Sequence, residues 1–389
     1  MMQKFDMGRV PPVTFGAGRM AELPLVLHTL SAGSVMVIAD QFLSEIGVTN
    51  RLSKVLSEAG VGVEMAAVVM GEPKEKIVDE LCVRARETGV HAVVGLGGGA
   101  AMDAAKLVAT IAPTNTPSSH YALSANLYPS KGLPSVAIPT TAGTGSEVTR
   151  TSIVSTDDGT KNWFWGEELM FDHAILDPEL TVSLPAHLTA WTGIDAVAHA
   201  VEASTAKTTS AAGLLYGLEA LRILNEWLPV AVHEGTNIEA RGHVLWGSMV
   251  AGLALHNCNT HMGHNISHSL GSLARIHHGH ATGLALEVAF PWLVERPEGA
   301  ENYAKAAKAL GETEKASALP EAYSKLMRAI GIQLQLPEVC EGVTQSMLAN
   351  SMKSKANHGM SQNAACPVGF DDLELFAGWM TDLPIYRVA

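Results

Sequence analysis

The sequence predicts an α/β domain built on a parallel sheet, followed by an all-α domain, and three observations lead there. The chain has 389 residues, more than the roughly 250–300 at which a single core stops growing, so two domains are expected. Up to about Pro185, short β-rich runs alternate with helical patterns, as in Val35–Ala39, Val63–Val69, Ala92–Leu96 and Ser135–Pro139. Such alternation implies a doubly wound parallel sheet. Beyond it the strand signals vanish, and 3.6-period stretches occupy Ala211–Val232, Ile238–Leu255, Ala281–Leu293, Ala300–Leu310 and Leu319–Ile330. The segment Asp177–Pro185, with two prolines in nine residues, reads as the hinge, giving domains 1–184 and 185–389.

Composition removes several classes of function. A formal net charge of −13 with no Lys/Arg cluster excludes a partner bound through its phosphate backbone, so no nucleic acid is expected. The longest central apolar run, Val244–Leu255, suits a buried helix and is too short to span a bilayer, so no membrane partner is expected either. The start Met1-Met2-Gln3-Lys4-Phe5-Asp6 does not read as a signal peptide, which favours the cytoplasm. Cys82, Cys258, Cys340 and Cys366 are scattered, without zinc-ribbon or disulfide spacing. With 47% hydrophobic and only 17% charged residues, part of the exterior is expected to be covered by another copy, as a homodimer or higher homo-oligomer.

In chain order, the first residue with chemical meaning is Asp40. It follows the strand Val35–Ala39, where a carboxylate can take the two ribose hydroxyls of an adenosine and would repel a 2′-phosphate; the alternative is a helix N-cap. The third strand runs into Gly97-Gly98-Gly99-Ala100-Ala101-Met102-Asp103-Ala104-Ala105-Lys106, glycines that open a helix and let backbone N–H groups approach a phosphate. This is neither the G-x-G-x-x-G fingerprint nor a Walker sequence, and a plain strand-to-helix turn is the competing reading. After the next strand, Pro139-Thr140-Thr141-Ala142-Gly143-Thr144-Gly145-Ser146-Glu147-Val148-Thr149 supplies small residues and hydroxyls suited to a nucleotide passing close to backbone.

In the second half, seven of the 16 histidines fall between His256 and His280, where an even spread would place about one. His264 and His268 lie one helical turn apart, and Asp195 and His199 form a similar i, i+4 pair on an apolar helix. The two pairs could together close a cation site. On one continuous helix, residues 264 and 278 would be about 21 Å apart, so His278 can join only if the chain turns at Leu273–Gly279. One carboxylate with three imidazoles and no thiolate points to Fe(II) or Zn(II).

Taken together, Gly97-Gly98-Gly99-x-x-x-Asp103-x-x-Lys106, Pro139 to Glu147, Gly193-x-Asp195-Ala196-x-x-His199-Ala200-x-Glu202, His264-x-x-x-His268-x-Leu270-Gly271 and His278-Gly279 resemble the successive signatures of the iron-containing (group III) alcohol dehydrogenases, spanning about residues 10 to 380. The resemblance implies a dinucleotide-binding α/β domain and a helical domain binding metal and substrate. It implies Asp195, His199, His264 and His278 as metal ligands, His268 beside the nicotinamide and substrate as a candidate proton relay, and Asp40 as the residue favouring NAD(H) over NADP(H). Gly97, Gly98, Gly99, Asp103, Thr140, Thr141, Thr149 and Lys161 complete the expected cofactor set. The implied reaction is hydride transfer between a primary alcohol and its aldehyde.

The sequence departs from the family pattern in several places. Ala100 replaces the usual Ser, Gly71-Glu72-Pro73 replaces Pro-Asn-Pro and adds a negative charge, His277 stands where a proline is common, Asn363-Ala364-Ala365 replaces Asn-Pro-Arg, and Trp163-Phe164-Trp165 forms an aromatic cluster. Three rival readings are a metal-independent maleylacetate reductase, a zinc enzyme acting on glycerol-type polyols or sugar phosphates, and a non-catalytic metal-storage protein. The intact ligand set opposes the first, and the glycine turn with Asp40 opposes the last.

Overall fold

The structure is a computed structural model, and it describes residues 4–68 and 73–386. Two compact units emerge, and the division is not a single cut: Arg9–Thr141 with Gly145–Ser183 form one, while Leu184–Ala389 take Ala142–Thr144 and the piece up to Gly8 with them.

The first unit contains, in chain order, β1 (Val13–Phe15), α1 (Leu23–Thr29), β2 (Ser34–Asp40), α2 (Gln41–Glu45), α3 (Val48–Glu58) and β3 (Gly62–Val68). It continues with α4 (Glu75–Thr88), β4 (Ala92–Gly97), α5 (Gly99–Ile111), β5 (Ser135–Pro139), β6 (Thr151–Ser155), β7 (Lys161–Trp165) and β8 (His173–Leu176). Six strands form a wholly parallel sheet in the order β1-β8-β5-β4-β2-β3. Strand β4, Ala-Val-Val-Gly-Leu-Gly, is buried along its whole length, which is why its sequence is a continuous apolar run rather than an alternation. On one face of the sheet Val35, Val37 and Ala39 of β2 pack with Leu23, Leu27, Leu52 and Leu56. Helix α5 lies close over β4: a Cβ at Gly95 would come within 2.9 Å of Ala105 Cβ. The four sequence-read strands are present, and the sheet adds the short β1 and β8. Strands β6 and β7 form a separate antiparallel hairpin.

The expected hinge holds an ordered cap. Asp177 is buried, caps the 3₁₀ turn Pro178–Thr181, and accepts hydrogen bonds from the backbone N–H groups of Gly18, Met20 and Glu179.

The second unit comprises α6 (Ala186–Thr205), α7 (Ala211–His233), α8 (Ile238–Cys258), α9 (Met262–Leu273) and α10 (His278–Leu293). After these come α11 (Ala300–Ala309), α12 (Leu319–Ala329), α13 (Gln345–Met352), α14 (His358–Ser361) and α15 (Phe370–Thr381). The expectation of an all-α domain needs one small correction: β9 (Leu336–Pro337) and β10 (Ile385–Tyr386) pair in parallel. Ser210 and Asn237 cap α7 and α8 by accepting from Gly213 N and Ala240 N, which sets where these helices begin. Helix α6 is buried on every side from Gly193 to Thr205. A helix so enclosed must find a partner for each polar group it carries, and Asp195, His199 and Glu202 all lie on it. No helix among the described residues is long and apolar enough to cross a membrane.

Candidate active site

The glycine turn of the α/β unit has the shape that its sequence suggested. Gly97 has φ 151°, and a Cβ there would sit 2.8 Å from Ala101 Cβ, so only glycine fits between β4 and α5. Gly98 stands at the N-cap of α5 with no side-chain cap, leaving the first N–H groups of the helix for a ligand. The end of β5 closes the turn: Thr140 N–H donates to Gly97 O at 2.9 Å, and a Cβ at Gly98 would lie 3.3 Å from Thr141 Oγ1. A side chain on the glycine would fill this cradle, which therefore fits an anionic group such as a pyrophosphate.

Asp40 ends β2, in the strand next to β4, with its backbone N 3.8 Å from the position of a Cβ on Gly97. Its Oδ1 accepts from Phe42 N at 2.8 Å and caps α2, so the N-cap reading holds for that oxygen. Gly71 and Glu72 lie outside the described residues.

Asp103, expected at the cofactor, has both carboxylate oxygens engaged by the protein: Oδ1 accepts from Ser146 Oγ at 2.7 Å and Oδ2 from Ile153 N at 2.9 Å. It holds the 146–153 segment in place rather than facing a ligand. Lys161 opens β7 opposite Ser155, at the turn end of the hairpin, so it belongs to the second sheet rather than the six-stranded one. The aromatic cluster is a strand alternation: Phe164 is buried, while Trp163 and Trp165 face outward and Arg150 stacks 4.1 Å over the Trp165 ring.

Glu147 is buried beside this network, and burial pushes its carboxyl up to about 7, with Lys106 opposing the shift. The folded protein keeps this proton between its ordinary value of 4.5 and about 7, whereas the unfolded chain releases it, so stability falls as pH rises through that window. Glu147→Gln is expected to remove this slope, up to about 3 kcal/mol, in urea unfolding compared at the two ends. An unchanged slope would show that the carboxyl titrates normally.

In the helical unit, Asp195 and His199 sit one turn apart on α6, and His264 on α9 meets them. Ligand atoms of the three come within 4.8 Å of one another, all buried. The chain turns after Leu273, as the spacing demanded, and α10 starts at His278, whose Nε2 is 3.6 Å from Asp195 Oδ1. Gly279 makes this approach possible, because a Cβ there would meet Trp191 O at 2.1 Å and Asp195 Cβ at 3.0 Å. His268, half-buried, has its ring centroid 5.1 Å from that of His278 and 6.0 Å from that of His264.

Partners behind the cluster fix how the rings face. A carbonyl can only accept, so the contact of His199 Nδ1 with Gly143 O at 3.3 Å makes Nδ1 the protonated nitrogen. Burial lowers the His199 pKa, against the pull of Asp195, and so favours the neutral, ligating form. His264 Nδ1 donates to Glu202 Oε2 in a short hydrogen bond, which turns Nε2 inward. Glu202 Oε1 accepts from Gly263 N at 2.6 Å and lies 3.3 Å from His261 Nδ1, while His261 Nε2 is 3.0 Å from Thr205 Oγ1. Burial alone would raise the Glu202 carboxyl, but His261, His264 and the Gly263 N–H hold it at about 2. Glu202 and His261 were not among the expected site residues. Their signal was the position of Glu202 seven residues after Asp195, on the same helical face, and of His261 one turn before His264.

A cation fits here. Asp195 Oδ1 and His264 Nε2 are buried, have no hydrogen-bond partner, and face each other at 3.8 Å. Two acceptor atoms brought together without a proton donor are costly unless a cation lies between them, and ligands about 2.1 Å from a tetrahedral metal stand about 3.4 Å apart.

A doubly wound sheet ending in a glycine turn, together with a helical unit holding a buried carboxylate–imidazole cluster, defines a metal-dependent dehydrogenase class. The chain belongs to the iron-containing alcohol dehydrogenase family: the family model "Iron-containing alcohol dehydrogenase" matches residues 11–178, and "Fe-containing alcohol dehydrogenase family, C-terminal" matches 189–369. Among its relatives, the probable alcohol dehydrogenase EutG of Escherichia coli is 34% identical, covering 87% of this chain and 86% of that protein. The NAD-dependent methanol dehydrogenase of Bacillus methanolicus is 33% identical, covering 69% and 71%. The crystal structure of sulfoacetaldehyde reductase from Bifidobacterium kashiwanohense in complex with NAD+ superposes with a TM-score of 0.88 at 27% identity, covering 98% of this chain and 99% of that one.

Proposed function

We propose that this protein interconverts a primary alcohol and its aldehyde by hydride transfer with NAD(H), using Fe(II), or Zn(II) as the alternative, at Asp195, His199, His264 and His278. The observation that carries the reading is the buried, partnerless pair Asp195 Oδ1 and His264 Nε2, joined by His278 Nε2. When bound, the cation supplies Lewis acidity at the reacting oxygen. The protein's own residues do the rest. Glu202 and the Gly143 carbonyl hold the rings of His264 and His199 in the ligating tautomer. His268 carries the alcohol proton away, a role supported by its ring lying near those of His264 and His278.

On the cofactor side, Gly97, Gly98 and Gly99 receive the pyrophosphate, and Thr140, Thr141, Thr149 and Lys161 supply further polar contacts. The second carboxylate oxygen of Asp40 takes the ribose hydroxyls and disfavours a 2′-phosphate, hence NAD(H) over NADP(H). Asp103 acts from behind, by positioning. The names of two relatives, an NAD-dependent methanol dehydrogenase and a 1-propanol dehydrogenase, support a small alcohol. The low share of charged residues, 17%, supports a homodimer or higher homo-oligomer, and four free cysteines support the cytoplasm.

The test is oxidation of NADH with short aldehydes by protein stripped of metal, then reloaded with Fe(II) under nitrogen or with Zn(II). Activity is expected to return only with metal and to favour NADH over NADPH. Undiminished turnover after stripping would point instead to metal-independent reduction, and turnover with polyols alone to a glycerol-type enzyme.

A further inference from the structure

We propose that Lys106 is a positioning residue for the nucleotide: by donating to Thr149 Oγ1 it commits the Thr149 hydroxyl proton to an acceptor oxygen of the bound dinucleotide. The inference rests on the cofactor reading above and goes beyond it, because Lys106 cannot reach a ligand itself. It lies on α5, beyond the glycine turn, and is only 1% exposed.

An ammonium has three N–H donors and no acceptor. Lys106 Nζ donates to Thr151 O at 2.7 Å and to Thr149 Oγ1 at 3.2 Å, with Asp103 Oδ1 at 3.9 Å. Thr149 Oγ1 is therefore the acceptor in that contact. A hydroxyl carries one proton, and among the described residues no protein acceptor takes it. Thr149 follows the 3₁₀ turn Ser146–Val148, and that turn is tied to α5 through Ser146 and Asp103, so the hydroxyl is braced from two sides. A group in this state offers a hydrogen bond and cannot usefully receive one. It suits a phosphate or carboxamide oxygen and does not suit a ligand amine. A buried lysine serving only to tie β6 to α5 would need the Thr151 carbonyl but not the Thr149 hydroxyl.

The experiment is NADH titration by fluorescence on the metal-free full chain, so that catalysis is not the readout, with ADP-ribose as competitor. Thr149→Val is expected to weaken NADH about 5- to 20-fold, the worth of one hydrogen bond, and Thr149→Ser to restore it. Lys106→Met is expected to weaken NADH by a similar factor, and the double variant to be no weaker than the weaker single. An equal loss for ADP-ribose places the acceptor on the diphosphate half, and a loss confined to NADH places it on the nicotinamide half. Wild-type affinity in Thr149→Val, no rescue by serine, or additive losses in the double variant would each overturn the proposal. Lys106→Met leaves Asp103 and Glu147 without their cation, so its NADH affinity is compared on the folded fraction measured by urea unfolding, and wild-type affinity in that folded fraction would likewise overturn the role of Lys106. Wild-type protein that binds no NADH would overturn the cofactor reading as well, which separates the two failures.

Discussion

His264→Ala is expected to leave the protein without stoichiometric metal and with background turnover. The substitution removes one of the two buried atoms that have no partner without a cation, and it also takes the donor from Glu202 Oε2. The loss of metal affinity should exceed the roughly 10–100-fold cost of removing an outer partner of a ligand. An unmatched buried carboxylate oxygen adds about 1–3 kcal/mol of destabilisation. Metal content by mass spectrometry and urea unfolding are the measurements. A folded variant that keeps one metal per chain and full turnover would remove His264 from the ligand set.

Gly279→Ala should be nearly as damaging, although glycine has no chemistry of its own. Its new Cβ would stand 2.1 Å from the Trp191 carbonyl oxygen, a backbone atom that no rotamer change can move. The start of α10 must then retreat from α6, and His278, the preceding residue, retreats with it. The expected result is a metal Kd about 10–100-fold weaker, with a stability loss of about 1–3 kcal/mol from overpacking. Gly359→Ala is the control, since nothing lies within 4 Å of a Cβ there and alanine favours the helix. Wild-type Kd and Tm in Gly279→Ala would show that the close approach does not set His278.

Long helices were the most legible part of the sequence. Ala211–His233 and Ile238–Cys258 extend the sequence-read ranges by only one and three residues, because apolar periodicity over six turns leaves little freedom and Ser210 and Asn237 mark the starts. Strands β1 and β8, three and four residues long, carry too little pattern to be read singly; they exist because the sheet pairs them with each other. The strand order is likewise set by long-range pairing. In the site, the need for a turn between His264 and His278 followed from helix rise alone, and the structure places it after Leu273. Glu202 was harder, since its partners lie about sixty residues away and one carboxylate on a helix reads as surface until the helix is known to be enclosed. Asp103 was read as a ligand contact because it follows the glycine turn, yet its oxygens answer to Ser146 and Ile153, which only the folded chain brings near.

The Gly143 carbonyl, fixed against His199, has a consequence for how such a centre can be inherited or transplanted. It comes from a three-residue excursion of the chain, Ala142–Thr144, separated from the rest of the helical unit by the 39 residues of sheet-side sequence from Gly145 to Ser183. The metal centre is therefore not a contiguous cassette. A fragment beginning at Leu184 would carry Asp195, His199, His264 and His278 but would lack the acceptor that orients His199. During synthesis that acceptor emerges first and must wait for its imidazole, so gene fusion or recombination near residue 184 would separate the two even though every ligand remained on one side.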